Sequence, residues 1–212
     1  MQYNLKSEYA KEGDSAGGAR IMETGSYIGK FTMAKAVIAS TMSTGIEFDF
    51  EAEDGKTAKY LTIYTHNKDG NEIWGLKQVN AIMACAGVKT MNGQMVNAKV
   101  YDHDARKEVD AQVEAYPEII NVPIGLVLQK ELYTSNAGED KERMTIYTPF
   151  EAATKRTATE RLDSLDATAI DQILNHLSDK NSRKSTAAPA APTASAATTA
   201  SPDINFDDDI PF

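Results

Sequence analysis

Alternation of apolar and polar residues predicts β-strands in the first third of the chain. Residues 26–37 alternate so that Phe31 and Met33 fall on one side of a strand and Ala34 falls on the other. Residues 46–50 alternate cleanly, and their apolar side chains are expected to point into a core. Both segments are therefore predicted to be strands.

A third strand and a helix are predicted next. Residues 58–64 place Leu61 and Ile63 on one face and two tyrosines on the opposite face. After a turn signal at residues 68–71, apolar residues recur at helical spacing, and Gly87 is expected to end the helix. Extended segments follow at residues 95–102, 119–133 and 143–147.

Three strands, a helix and further strands occur in that order in an OB fold, a five-stranded barrel with a helix between strands 3 and 4. The periodicity also allows another small α+β barrel. Beyond the barrel, Thr157 and Glu160 have the spacing of a capping box, and an apolar stripe predicts a C-terminal helix that ends near Lys180. The predicted fold class is mainly β, followed by this helix and a disordered tail with an acidic tip.

Five segments are predicted along the chain. Residues 1–24 have no clear period and are interpreted as a loosely ordered lead-in, residues 25–150 as the barrel and residues 151–180 as the helical segment. Residues 181–202 contain almost no large apolar side chain that could offset the entropy of ordering, so they are predicted to be a disordered tether. A flexible coil of this length would hold the remaining segment, the acidic tip at residues 203–212, about 25 Å from the barrel.

The tip combines aspartates with an apolar, aromatic end, a pattern that another protein can bind. Its aspartates can neutralise a basic rim, while Ile210 and Phe212 can enter an apolar pocket and Pro211 disfavours a helix. An acidic run is usually a solvated surface that aids solubility, but solvation requires neither apolar residue. The predicted partner-binding residues are Asp207, Asp208, Asp209, Ile210, Pro211 and Phe212.

In this order, those six residues resemble the C-terminal tip of bacterial single-stranded DNA-binding proteins. The body carries a more diffuse resemblance, in residues 25–27, 45–50, 61–64 and 157–160 and in the helix that ends at Gly87. With these motifs, residues 21–180 resemble single-stranded DNA-binding proteins of bacteriophages or prophages that have an OB fold.

The resemblance implies a binding protein rather than an enzyme. Such a protein binds single-stranded DNA (ssDNA) without sequence preference and protects exposed strands during replication, recombination and repair. It would recruit host or phage proteins of these processes through the tip. Because the body departs from the bacterial proteins, any homo-oligomer is expected to be a dimer rather than a tetramer.

Candidate DNA-binding residues follow from the chemistry of unpaired bases. Their π faces stack on exposed aromatic side chains, and Lys or Arg side chains nearby bind the phosphates. Which aromatic side chains stack on bases and which belong to the core stays open at this point. The predicted ssDNA-binding residues are Lys30, Lys35, Lys59, Tyr60, Tyr64, Trp74, Lys77, Arg143 and Tyr147.

Charge and composition limit this prediction. The formal net charge is −9, whereas a nucleic-acid binder is expected to present a basic surface. Binding would therefore need a local basic stripe beside the aromatic side chains. Because there is no run of about 18 apolar residues and no signal peptide, a cytoplasmic location without membrane contact is expected in the bacterial host.

Two other functions stay open. A small nuclease could use Asp102, Asp104 and further carboxylates around Mg²⁺, although the segment 102–104 is better interpreted as a solvated loop. The histidines lack metal-binding spacing and the single Cys85 is interpreted as a core residue, so no metal or cofactor is expected. An adaptor that carries the tip but binds no DNA is the third reading.

Overall fold

The computed structural model describes residues 19–102, 107–135 and 137–183, which form a mainly β structure with short helices. A 3₁₀ helix, Pro117–Ile119, precedes the sixth strand. No helix within these ranges is long and apolar enough to span a membrane. The strands and helices are β1 (Gly25–Ile38), β2 (Thr44–Ala52), β3 (Thr57–His66), α1 (Trp74–Ala86), β4 (Gln94–Asp102), β5 (Lys107–Ala115), β6 (Pro123–Thr134), β7 (Asp140–Phe150), α2 (Ala158–Leu162), α3 (Ala169–His176) and β8 (Lys180–Ser182).

Strand β1 organises the sheet. One edge of β1 pairs with β2, which pairs with β3, while the other edge pairs with β6 through residues 25–30 and with β5 at Lys35. Strand β7 pairs with β6, and β8 is the one strand in the described ranges that joins in parallel. Some Cα atoms of β3 and β7 lie within 8 Å, but no ladder among the described residues joins these strands. The sheet is therefore antiparallel except at β8, and it is barrel-like but not closed.

Aromatic side chains form the centre of the core. The ring centroid of Phe31 lies 4.6 Å from that of Phe48 and 6.0 Å from that of Phe50. Helix α1 packs Val79 and Ile82 into the same cluster. The burial predicted for the apolar residues of 46–50 is confirmed.

The predicted face of strand β3 and the predicted end of helix α1 are also confirmed. Leu61 and Ile63 are buried, whereas Tyr60 and Tyr64 are exposed. Gly87 caps the helix in the left-handed conformation, with a φ of 73°. This conformation favours glycine, which explains why the helix ends there.

A β-bulge corrects the predicted alternation in β1. Phe31 pairs with Phe50 and Met33 with Asp49, so β1 contains one extra residue between these pairs. A bulge of this kind changes the face to which the following side chains point. Phe31 and Ala34 are consequently both buried, and their predicted placement on opposite faces was wrong.

Several predicted boundaries also differ from the structure. The described chain has eight strands rather than five, chiefly because β4 and β5 form an additional hairpin. Ile21, in the predicted lead-in, is 2% exposed and its N–H donates to the Thr57 carbonyl, so the last residues of that segment belong to the domain. Asn181 and Ser182, in the predicted tether, pair with β6 as part of β8.

The predicted C-terminal helix is two short helices joined through Glu160. Its carboxylate completes the predicted capping box by accepting the N–H of Thr157 at 2.8 Å. Its other oxygen accepts the N–H groups of Thr168 and Ala169, both at 2.8 Å, at the start of α3. Burial alone would raise the pKa of Glu160, but these hydrogen bonds lower it to about 2. Ser164, with a φ of 56°, lies in the turn that separates the helices.

Candidate nucleic-acid interface

Four aromatic side chains of the described residues are exposed to solvent. The exposed fraction is 54% for Tyr60, 41% for Tyr64, 74% for Trp74 and 48% for Tyr147. All other aromatic side chains that the structure describes are buried or half-buried. The four exposed rings all belong to the predicted ssDNA-binding set, and we refer to Tyr60, Tyr64, Trp74 and Tyr147 as the aromatic surface.

A bulge in β3 places Lys59 beside Tyr60 on the outer face. Ala58 and Leu61 are both buried, so the two residues between them, Lys59 and Tyr60, lie together on the outer face. Tyr60 adopts a φ of 62°, a conformation that is uncommon for residues other than glycine. Its N–H donates to Asp49 Oδ1 at 3.0 Å, and burial raises the pKa of that carboxyl group. Asp49 therefore stabilises the unusual backbone that presents the ring.

The start of α1 lies directly against the end of β3. A Cβ atom on Gly75 would lie 1.9 Å from the carbonyl oxygen of Tyr64, so only glycine permits this approach. The N–H of Ile73 donates to the carbonyl of Thr65 at 2.9 Å. Trp74 lies between these two contacts, so its backbone is held beside the end of β3 while its ring is exposed.

The same helix also contacts β7. Gln78 Nε2 donates to the carbonyl of Ile146 at 2.6 Å, and Tyr147 is the next residue. Trp74 precedes Gln78 by about one helical turn, so both side chains lie on one side of α1. Helix α1 thus contacts β3 at Tyr64 and β7 at Ile146, the residue before Tyr147.

The predicted basic residues fall into two groups. Lys35 Nζ lies 2.9 Å from Glu47 Oε1, and Arg143 Nη2 lies 2.8 Å from Glu131 Oε2. In the described ranges, the other three form no ion pair with an acidic side chain, and they are Lys30, Lys59 and Lys77.

Lys77 lies beside the aromatic surface. Its Nζ is 5.3 Å from the ring centroid of Trp74, within the range of a cation–π contact. The N-terminus of α1 has no side-chain cap and no acidic residue in its first turn. The positive end of the helix dipole therefore adds to the charge of Lys77.

Arg143 serves a structural contact that the sequence did not indicate. The carboxylate of Glu131, 3% exposed, accepts from Arg143, Lys180 and Ser182 at 2.8 to 3.0 Å. Burial alone would raise the pKa of Glu131, but these three partners lower it to about 2. Arg143 thus joins β7 to β6 and β8. A glutamate in an alternating strand carries no sequence signal for such a role.

Acidic residues share the outer face of β2 with these lysines. Glu51 pairs in register with Lys30, and Glu47 with Lys35. Lys59 lies close enough to Asp49 to lower its pKa, against the larger effect of burial. The local charge on this face is therefore mixed.

The described residues contain no group of three His, Cys, Asp or Glu side chains that could hold a metal ion. The loop of the nuclease hypothesis, with His103 and Asp104, lies outside those residues, as does the tip with Phe212. Cys85 is buried, and burial raises the pKa of its thiol to about 12, which confirms that it is a core residue.

No protein-family model matches this chain, and a search of curated proteins finds no match either.

Proposed function

We propose that the protein binds ssDNA without sequence preference through the aromatic surface. The observation that supports this function is the exposure of four aromatic rings on adjoining elements, next to Lys59 and Lys77. Exposed apolar side chains that lie together can mark a binding surface. Unpaired bases fit such rings because every base offers a π face, whereas the bases of a duplex are stacked on each other.

The proposed fold is an OB barrel with an insertion. Strands β1, β2 and β3, helix α1 and strands β6 and β7 follow the order of that fold, and the β4–β5 hairpin would be inserted after the helix. OB folds bind oligonucleotides on the face of strands 2 and 3. Tyr60 and Tyr64 lie on this face, which supports the assignment of the site.

The mixed charge of this face makes stacking the main contribution to affinity. Lys30, Lys59 and Lys77, which form no ion pair with the described residues, could neutralise about three phosphates, which corresponds to a slope of about −2 in log affinity against log salt. Each stacked base contributes roughly 1–3 kcal/mol. Binding would therefore fall with salt but persist at salt concentrations that release a purely electrostatic binder.

In the cell, the protein would coat exposed strands during replication, recombination and repair, and the acidic tip would recruit partner enzymes. The order of residues 207–212 supports the second role. Arg183 Nε lies 3.3 Å from Asp140 Oδ2 at the start of β7. A disordered tether that follows Arg183 would let the tip contact another protein while the barrel holds DNA.

Trp74 provides a direct test, because it is the only tryptophan of the chain. We expect oligo-dT to quench its fluorescence, with an affinity well above that for a duplex of the same length and with the shallow salt slope given above. Equal affinity for duplex and single strand would contradict the proposal. Loss of a labelled strand in Mg²⁺ but not in EDTA would favour the nuclease, and tip-dependent protein binding without any quenching would favour the adaptor.

A further inference from the structure

The β4–β5 hairpin projects from the barrel as a two-stranded ribbon. Its strands pair over nine residues each without a register shift, which gives a length of about 30 Å. The ladder that joins the ribbon to the rest of the described sheet is the single pair of Ala115 with Lys35. The ribbon, residues 94–102 and 107–115, is therefore held to the barrel at one end.

One face of the ribbon is apolar along its length. Its six residues are half-buried, and none of them belongs to or packs against either hydrophobic cluster of the described chain. A two-stranded hairpin alone is marginally stable in water, and a hydrophobic face becomes stable when three or more strands share it. The cross-strand pairs that form the face are Val96 with Val113, Ala98 with Ala111 and Val100 with Val109.

Strand β4 also has an open edge. Among the described residues β4 pairs only with β5, and it contains neither a proline nor a bulge. A regular edge of nine residues exposes a row of backbone N–H and C=O groups that can pair with another strand.

We propose that β4 pairs antiparallel with β4 of a second copy of this chain, around a two-fold axis at Ala98. The two-fold axis can pass through a residue or between two residues. If it passed between two residues, each apolar side chain of β4 would lie opposite a polar side chain of the partner strand. Among the remaining registers, the one centred on Ala98 overlaps all nine residues of Gln94–Asp102. This dimer depends on the ribbon alone and goes beyond the proposed DNA binding.

Side-chain complementarity supports the same register. It places Val96 opposite the partner's Val100, which continues the apolar face across four strands. It also places Lys99 opposite the partner's Asn97. A register centred one residue later would instead oppose the two Lys99 side chains, and like charges directly opposite are destabilising.

Cysteine crosslinking tests this geometry. Cys85 is 3% exposed, so an introduced cysteine would be the reactive one. Across the axis, the Cα atoms at position 98 would lie about 4.5–5.5 Å apart, within disulfide range. At Ala111 they would be about 14 Å apart, three strand spacings. We expect Ala98→Cys to form a covalent dimer on mild oxidation and the matched control Ala111→Cys to stay monomeric on denaturing gels. Equal crosslinking, or crosslinking of the control alone, would overturn the proposal.

A charge variant tests the interface without a disulfide. Asn97→Lys would place a lysine opposite Lys99 of the partner, and the two-fold axis repeats this pair of like charges. The change should raise the dimer dissociation constant roughly 2- to 30-fold in sedimentation equilibrium. Within one chain, position 97 faces Gln112 and is flanked by Asp110 and Glu114, so the same change should not weaken the monomer. Asn97→Asp should have the opposite effect on dimerisation. A monomeric wild type, or a dimer insensitive to both changes, would refute the edge pairing.

Discussion

Replacing Tyr60 separates stacking on DNA from the stability of the fold. The residue has a φ of 62° and its ring is 54% exposed. If the ring stacks on one base, Tyr60→Gly and Tyr60→Ala should each lose roughly 1–3 kcal/mol of binding, or about 5- to 150-fold in Kd for oligo-dT. Tyr60→Phe keeps the ring and should keep most of the affinity.

The stability of the two small variants should follow an unusual order. In an ordinary strand, a glycine makes the protein less stable than an alanine at the same position by roughly 0.5–1 kcal/mol. At this φ, a Cβ costs roughly 1–2 kcal/mol. We therefore expect Tyr60→Gly to be at least as stable as Tyr60→Ala and up to about 1.5 kcal/mol more stable, in urea unfolding followed by circular dichroism. A clearly more stable alanine variant would refute the strained backbone, and wild-type affinity in both variants would refute stacking at this position.

Three further changes test the tail and the ion-pair network. Deleting residues 203–212 should tighten ssDNA binding at low salt, because the acidic tip competes for the same lysines; unchanged affinity there would show that it does not. Removing Phe212 alone should abolish capture of host replication and repair enzymes without weakening ssDNA binding, in a paired pull-down and titration. Glu131→Gln should lower the free energy of unfolding at pH 7. The pKa of Glu131 is about 2 in the folded protein, against a reference value of 4.5. Its contribution to folding stability is therefore present above pH 4.5 and is lost as the pH falls towards 2. The free energy of unfolding of the variant should depend less on pH between these two values.

Much of the fold was predictable because local patterns determine it. The strands around Phe48 and Leu61 bury one face, so apolar and polar residues alternate along them and predict the strands. Gly87 marked the end of α1. The ribbon was only partly recognised, because its alternating residues have the pattern of any half-buried strand and its partner strand was not identified. The break between α2 and α3 depends on Glu160 reaching across to Thr168, a tertiary contact that no local period encodes.

The aromatic and basic parts of the candidate site differed in how well the sequence could predict them. Whether a ring faces outward follows from alternation along its own strand, and Tyr60 and Tyr64 lie where that rule places them. Whether a lysine or arginine is free depends on acids supplied by other strands. Lys35 and Arg143 are held by Glu47 and Glu131, from neighbouring strands, while Lys59 and Lys77 form no ion pair within the described ranges. The net charge of −9 could not decide this question, since it counts paired and unpaired residues alike. An acidic protein can therefore keep a site for a polyanion if stacking supplies most of the affinity and a few unpaired cations lie beside the rings.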